Sequence, residues 1–117
     1  KSDGGIVGAA AVDLIKQFKV DYAVIGASAV DPEGVLLDYD YREVRITQAI
    51  IEQARTIVLA VDHSKFERRA PVKVGDLAKV NVLVTDRHPE MGITEICQSL
   101  EVELIVTDKD QHNCTTS

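Results

Sequence analysis

Three short apolar runs in this chain stop at residues able to do chemistry. The first gives way to Gly26-Ala27-Ser28-Ala29-Val30-Asp31, the second to Asp62-His63-Ser64-Lys65, and the third to Thr85-Asp86. Each end supplies an acidic group, and two supply a serine hydroxyl. Carboxylates and hydroxyls hold the hydroxyls of a small polar ligand, and a carboxylate placed beside a carbonyl can act as a base. Lys65, beside Ser64 and just past an apolar run, brings the positive charge that a phosphate or carboxylate requires. His63 is a candidate base or ligand, although a lone loop histidine is more often neither. Asp also caps helices and shapes turns, so no single end decides anything. Their recurrence on one rim is the stronger argument.

A further pair, Glu43 and Arg45, falls near the start of a helical pattern, where the helix dipole favours an acid. Being two residues apart, they point about 200° apart around a helix and need not face one site. No set of His and Cys has metal-type spacing, and no cofactor motif is present: GxxxxGK[ST], GxSxG and GxGxxG are all missing. Gly4-Gly5-Ile6-Val7-Gly8 has glycines but no strand ahead of it.

The elements that must position these residues can be read from periodicity. Lys1 to Gly5 reads as a loop, followed by a helix over Ala9–Phe18 with Val12, Ile15 and Phe18 on one stripe. Asp21–Gly26 reads as a strand buried on both faces. Ala27–Gly34 reads as a loop with Pro32 and Gly34, and Val35-Leu36-Leu37 as a short extended piece. Asp40–Ala54 is the strongest helix, with Asp38 or Asp40 as its N-cap. Thr56–Val61 is a second buried strand. Val72-Lys73-Val74 is short, and Gly75-Asp76-Leu77 reads as a tight turn into one helical turn. Val80–Asp86 is a third strand, Pro89 marks a helix entry, and Glu101–Thr107 alternates as an edge strand. A polar tail begins at Asp108. Strands alternating with helices predict the α/β class: one open, mostly parallel sheet with flanking helices, whose carboxyl-end rim is where such sheets bind ligands.

Size and composition agree with a single domain. The chain has 117 residues, 45% of them apolar and 27% charged, and a net charge of −6. Such an acidic chain is repelled by phosphate backbone and is a poor nucleic-acid binder by itself. No apolar run approaches the roughly 20 residues of a membrane span. Cys97 and Cys114 are far apart and read as reduced thiols of a cytoplasmic protein, with no leader segment at the start. The pattern Asn113-Cys114-Thr115 in the tail is discounted as a glycosylation site on the same ground.

Several of these residues, taken as a set, resemble a known family. Asp21-Tyr22-Ala23-Val24-Ile25-Gly26, Asp31-x-x-Gly34, Tyr41-Arg42-Glu43-Val44-Arg45 and Val61-Asp62-His63-Ser64-Lys65-Phe66, in this order, resemble the effector-sensing domain of DeoR-family bacterial transcription regulators. Ser2-Asp3-Gly4-Gly5-Ile6-Val7-Gly8 and Ala49-Ile50-Ile51-Glu52 add to the likeness, which runs from about Ser2 to Asp86 and thins beyond Arg87.

The resemblance implies a fold similar to ribose-5-phosphate isomerase. It implies a phosphorylated sugar or polyol as inducer, glycerol 3-phosphate among the candidates. It also implies an N-terminal winged helix-turn-helix that binds DNA as a homo-oligomer. On this likeness Asp31, Glu43 and Lys65 gather around the ligand, with Ser28, Arg45, Asp62 and Ser64 as further contacts. Lys65 belongs to an element similar to the isomerase's Asp-Ser-Ser-Lys loop. The family's DNA-binding domain, and a strand followed by a Gly-Thr-Thr-like phosphate loop, have no match here, so the whole chain, 1–117, is expected to be the C-terminal part of a sensor domain with an uncovered sheet edge. An isomerase-like enzyme, with Asp31 or Glu43 as base, is the alternative. A domain serving only oligomerisation is the third reading.

Overall fold

The computed structural model describes residues 3–107, with side chains from residue 9 onward. Lys1, Ser2 and the tail from Asp108, with His112, Asn113 and Cys114, lie outside the described residues.

Helix α1 spans Asp3–Ile15 and therefore takes in Asp3, Gly4 and Gly5, where a loop was expected. Glycine weakens a helix by about 1 kcal/mol without stopping it, and α1 gains support by lying along a second helix. It ends earlier than its apolar stripe suggests. Gln17 N–H and Phe18 N–H donate to the carbonyls of Leu14 and Ile15, tightening the last turn and leaving Phe18 exposed.

Strand β1 covers Val20–Ile25. It is not buried on both faces, as a continuous apolar run suggested. Ile25 is buried, whereas Tyr22 is 72% and Val24 71% exposed. The chain next forms a hairpin of β2 (Ala29–Val30) and β3 (Val35–Asp38). The expected loop 27–34 thus contains a strand and a tight turn. Gly34 N–H donates to the Asp31 carbonyl, Pro32 presets the second position, and Gly34 adopts φ 86°, open to glycine at little cost.

Helix α2 spans Tyr41–Gln53 and is capped by Asp40, whose carboxylate accepts from Arg42 N–H at 2.9 Å. Its buried residues, Val44 and Ala49, face the core. Strand β4 (Ala54–Ala60) follows, then a 3₁₀ turn η1 (His63–Glu67), strand β5 (Val72–Asp76) and a second 3₁₀ turn η2 (Leu77–Lys79) capped by Asp76. Gly75-Asp76 therefore closes a strand, and only Leu77 onward turns helically. Strand β6 is Val82–Thr85. It begins later than periodicity indicates because the Asn81 side chain is used to bridge to β4, accepting from Ile57 N–H at 2.7 Å. Helix α3 (Met91–Leu100) ends at Glu101 in the left-handed conformation, and β7 (Glu103–Val106) closes the described chain.

Two sheets result. Strands β1-β4-β6-β7, all parallel, form the open sheet, and β7 is an edge as expected. Strands β2-β3-β5 form a small antiparallel sheet that sequence patterning did not reveal. Leu59 and Leu83 sit side by side at the centre of the parallel sheet, both at 0% exposure. Leu36 and Leu77 from the second sheet and its turn, Val44 from α2, and Ile93 and Cys97 from α3 complete one core. Each such side chain contributes on the order of 1.5–3 kcal/mol by leaving water. No helix among the described residues is long and apolar enough to cross a membrane.

Candidate functional site

Because all four strands of the open sheet run the same way, their carboxyl ends lie along one rim. A shallow cavity of about 310 Å³ opens there, walled by Ala60-Val61-Asp62 after β4, Val84-Thr85-Asp86 at the end of β6, and Thr107 after β7. This is the small end of the size range for metabolite sites.

The wall residues are held by a network that the backbone itself builds. Asp62 caps η1: one carboxylate oxygen accepts from Ser64 N–H at 2.8 Å and from the Ser64 hydroxyl. Its other oxygen lies 3.6 Å from Lys65 Nζ. These bonds, the Ser64 hydroxyl foremost, hold the Asp62 carboxyl below its usual range. Asp86 reaches across from β6 and accepts from His63 N–H at 2.7 Å, while its second oxygen lies 2.9 Å from His63 Nδ1. The imidazole, then the backbone donor, hold the Asp86 carboxyl low as well. Both acids are therefore ionised at neutral pH. The loops after β4 and β6 are tied into one rim by Asp86.

Beside these acids sits Thr85, only 2% exposed, its hydroxyl without a hydrogen-bond partner among the described residues. Leaving a buried hydroxyl unpaired costs about 1–3 kcal/mol. Thr107 N–H and, at 3.5 Å, its hydroxyl both donate to the Thr85 carbonyl, so the strand backbone is satisfied while the Thr85 side chain is not.

The other residues singled out from sequence fall in three places. Lys65 sits beside the cavity through its contact with Asp62, on a turn that rests against β2, the strand leading into Asp31. Asp31 itself lies in the hairpin turn, its carboxylate accepting from Glu33 N–H and Val35 N–H at 2.9 Å each. Ser28 donates its hydroxyl to Asp38 at 2.9 Å, joining the hairpin's two strands. Glu43 is exposed in the first turn of α2. Arg45, two residues further on, borders a separate groove between α1 and α2 with Lys16, Tyr41 and Gln48. Asp62 alone of the seven lines the rim cavity.

Thr85 and Asp86 were visible as a strand end with chemical capacity. The importance of Thr85 was not, because burial without a partner is a property of three dimensions. Thr107 was read only as the end of an alternating strand. Among the described residues no group of three His, Cys, Asp or Glu side chains is placed to hold a metal ion.

Comparison with known proteins decides the family. The DeoR C-terminal sensor domain matches residues 1–87. The chain belongs to this family. It is similar to the glycerol-3-phosphate regulon repressor of Haemophilus influenzae, 45% identical over 106 residues, covering 91% of this chain and 41% of that protein. The protein of the same name in Escherichia coli is 42% identical over 102 residues, 87% of this chain and 40% of its own length. The HTH-type transcriptional repressor CsqR of Escherichia coli is 31% identical over 108 residues, 92% of this chain and 41% of its own. The chain thus spans about two fifths of the length of these relatives. The family match stops where the likeness was expected to thin, at Arg87, but the relatives align well beyond it. These relatives are transcriptional repressors, not enzymes, and sensor domains of the family bind small effector molecules.

Proposed function

We propose that the chain is the part of a DeoR-type repressor that senses a phosphorylated sugar or polyol, glycerol 3-phosphate first among them. The observation that carries this reading is the Asp62–Lys65 turn on the carboxyl-end rim, which places a cation and an ionised acid beside a small cavity in a member of a sensor family. Lys65 supplies charge for the phosphate, and the acids supply acceptors for hydroxyls. Asp31, Ser28, Glu43 and Arg45 are proposed as further contacts from neighbouring elements.

Sensing requires differential affinity. The metabolite must bind one arrangement of the regulator more tightly than the other, and each tenfold preference shifts that balance by about 1.4 kcal/mol. With a net charge of −6 the chain does not itself suit DNA. On this reading DNA is held by a separate basic helix-turn-helix domain, in a cytoplasmic homo-oligomer, and the ligand acts without being turned over.

The test is calorimetric titration of the full-length protein with glycerol 3-phosphate, ribose 5-phosphate and fructose 6-phosphate, wild type against Lys65→Ala. Removing a charge-assisted contact is expected to weaken binding of the preferred probe about tenfold or more. Unchanged affinity in Lys65→Ala removes Lys65 from the site. Absence of binding by any probe to the wild type overturns the reading.

A further inference from the structure

Among the described residues, the walls of the rim cavity contain two carboxylates, two threonines and three apolar residues, and no lysine or arginine. Lys65 stands outside it, with its ammonium directed to Asp62. Asp62 and Asp86 repel a phosphate placed among these walls, and no described residue lining the cavity neutralises it. The same acids, together with a free hydroxyl, suit an uncharged group rich in O–H.

Thr85 identifies where that group goes. Thr85 lines the cavity, and its hydroxyl, buried beneath that wall, has no partner among the described residues and can both donate and accept. Natural interiors rarely leave such an atom unpaired, and each one calls for a physical explanation. The nearest polar groups of the strand end are engaged elsewhere and do not pair with it: the Thr85 carbonyl accepts from Thr107, and the Asp86 carboxylate is held against His63 N–H and Nδ1, with lone pairs left for a ligand hydroxyl.

We infer that Thr85 is the specificity-determining residue of the sensor, its hydroxyl pairing with a hydroxyl of the metabolite, so that the ligand's uncharged polyol end enters the rim cavity and its phosphate stays outside. This rests on the sensing function proposed above and gives the ligand a direction. The site recognises hydroxylation as well as charge. A phosphate ester lacking hydroxyls leaves Thr85 unpaired and gains nothing from burial against the acids. A site built to hydrogen-bond a hydroxyl rejects an analogue without it strongly, because the site's own polar group is then stranded.

The experiment compares wild type, Thr85→Val and Thr85→Ser in the full-length protein, by calorimetric titration with glycerol 3-phosphate, ribose 5-phosphate, n-propyl phosphate and inorganic phosphate. Wild type is expected to prefer a hydroxylated probe over n-propyl phosphate by about tenfold or more. Thr85→Val keeps the shape of the side chain and is expected to lose most of that preference, with n-propyl phosphate affinity unchanged. Thr85→Ser keeps the hydroxyl and most of the preference. Without ligand, Thr85→Val is expected to melt at the same temperature or higher, since an unpaired buried hydroxyl has been removed, which separates a binding defect from a folding defect. Wild-type preference retained in Thr85→Val overturns the inference and leaves phosphate sensing intact. So does wild-type affinity for n-propyl phosphate equal to that for the hydroxylated probes. If no phosphorylated probe binds the wild type, the sensing function fails and the inference falls with it.

Discussion

Asp86 holds His63 with both oxygens of its carboxylate, one on the backbone N–H at 2.7 Å and one at 2.9 Å from Nδ1. The pair joins the loop after β4 to the end of β6, two strands that are neighbours in the sheet. It fixes the width of the rim at the place where the cavity opens.

This contact makes rim stability depend on acid. His63 keeps the Asp86 carboxyl below its usual 3.8 in the folded chain. A depressed carboxylate pKa contributes stability that is fully present above the unfolded value and is lost as pH falls through the folded one. The wild type is therefore expected to lose stability progressively below about pH 4–5. Asp86→Asn should melt a few degrees lower at pH 7 and show a shallower fall over the acid window, because its side chain no longer titrates. Melting curves from pH 7 to pH 3 at fixed ionic strength measure this. Parallel pH profiles for the two proteins would show that the pair carries no proton linkage.

The second helix offers a cleaner test of local chemistry. Asp40 accepts from Arg42 N–H, and this bond holds its own carboxyl low. Asn caps helices about as well as Asp, whereas Ala cannot cap. Asp40→Asn should leave the melting temperature nearly unchanged at pH 7, and Asp40→Ala should lower it by a few degrees. Equal losses in both variants would point to charge, not capping, as the contribution of Asp40.

How far the chain could be read in advance follows from the same contrast between local and distant causes. The start of α2 at Asp38 or Asp40, the existence of the four parallel strands and the chemically capable ends of β4 and β6 depend on residues close in sequence, and all were legible, whereas the order of the strands in the sheet was not read. So was the Asp31-Pro32-Glu33-Gly34 turn as a break, because Asp, Pro and Gly each have a local reason to be there. The antiparallel sheet was not legible, since β3 pairs with β5 across a separation that includes α2 and β4, and two-residue β2 carries no periodicity. The outward exposure of Tyr22 and Val24 was hidden by an unbroken apolar run, which reads the same whether one face or two are covered. The site divided in the same way. Asp62 and Lys65 share a single turn and could be read together, while the lack of a partner for the Thr85 hydroxyl among the described residues depends on tertiary surroundings.

Gly34 connects the hairpin turn to the core and gives a stability prediction of definite size. Its φ of 86° lies in the left-handed region, and a Cβ there would come within 3.2 Å of Leu77 Cδ1 and 3.5 Å of Ile96 Cγ2. The Gly34 carbonyl also accepts from Leu77 N–H at 3.0 Å, so the turn has little freedom to move away. Gly34→Ala is expected to cost roughly 1–2 kcal/mol from backbone strain alone, with the contact on Leu77 adding to it. Equilibrium urea unfolding of the full-length protein gives the value. A variant as stable as wild type would mean that the turn can relax to negative φ, releasing Leu77 from the Gly34 carbonyl.

The centre of the parallel sheet sets the upper end of the scale. Leu59 and Leu83 are register partners on β4 and β6 and neither is exposed at all. Leu83→Ala should cost about 2–5 kcal/mol, the range for removing a fully buried leucine, and it should also loosen the rim, because Thr85 at the end of β6 and Asp86 just past it follow two and three residues later. The expected result is a large fall in urea midpoint together with weaker binding of glycerol 3-phosphate at temperatures where the variant is still folded. Ile93→Ala, buried on α3, which carries none of the proposed contacts, is the control: it should also lose stability but leave affinity closer to wild type. If both variants lose affinity alike, binding follows global stability, and β6 has no special part in holding the site.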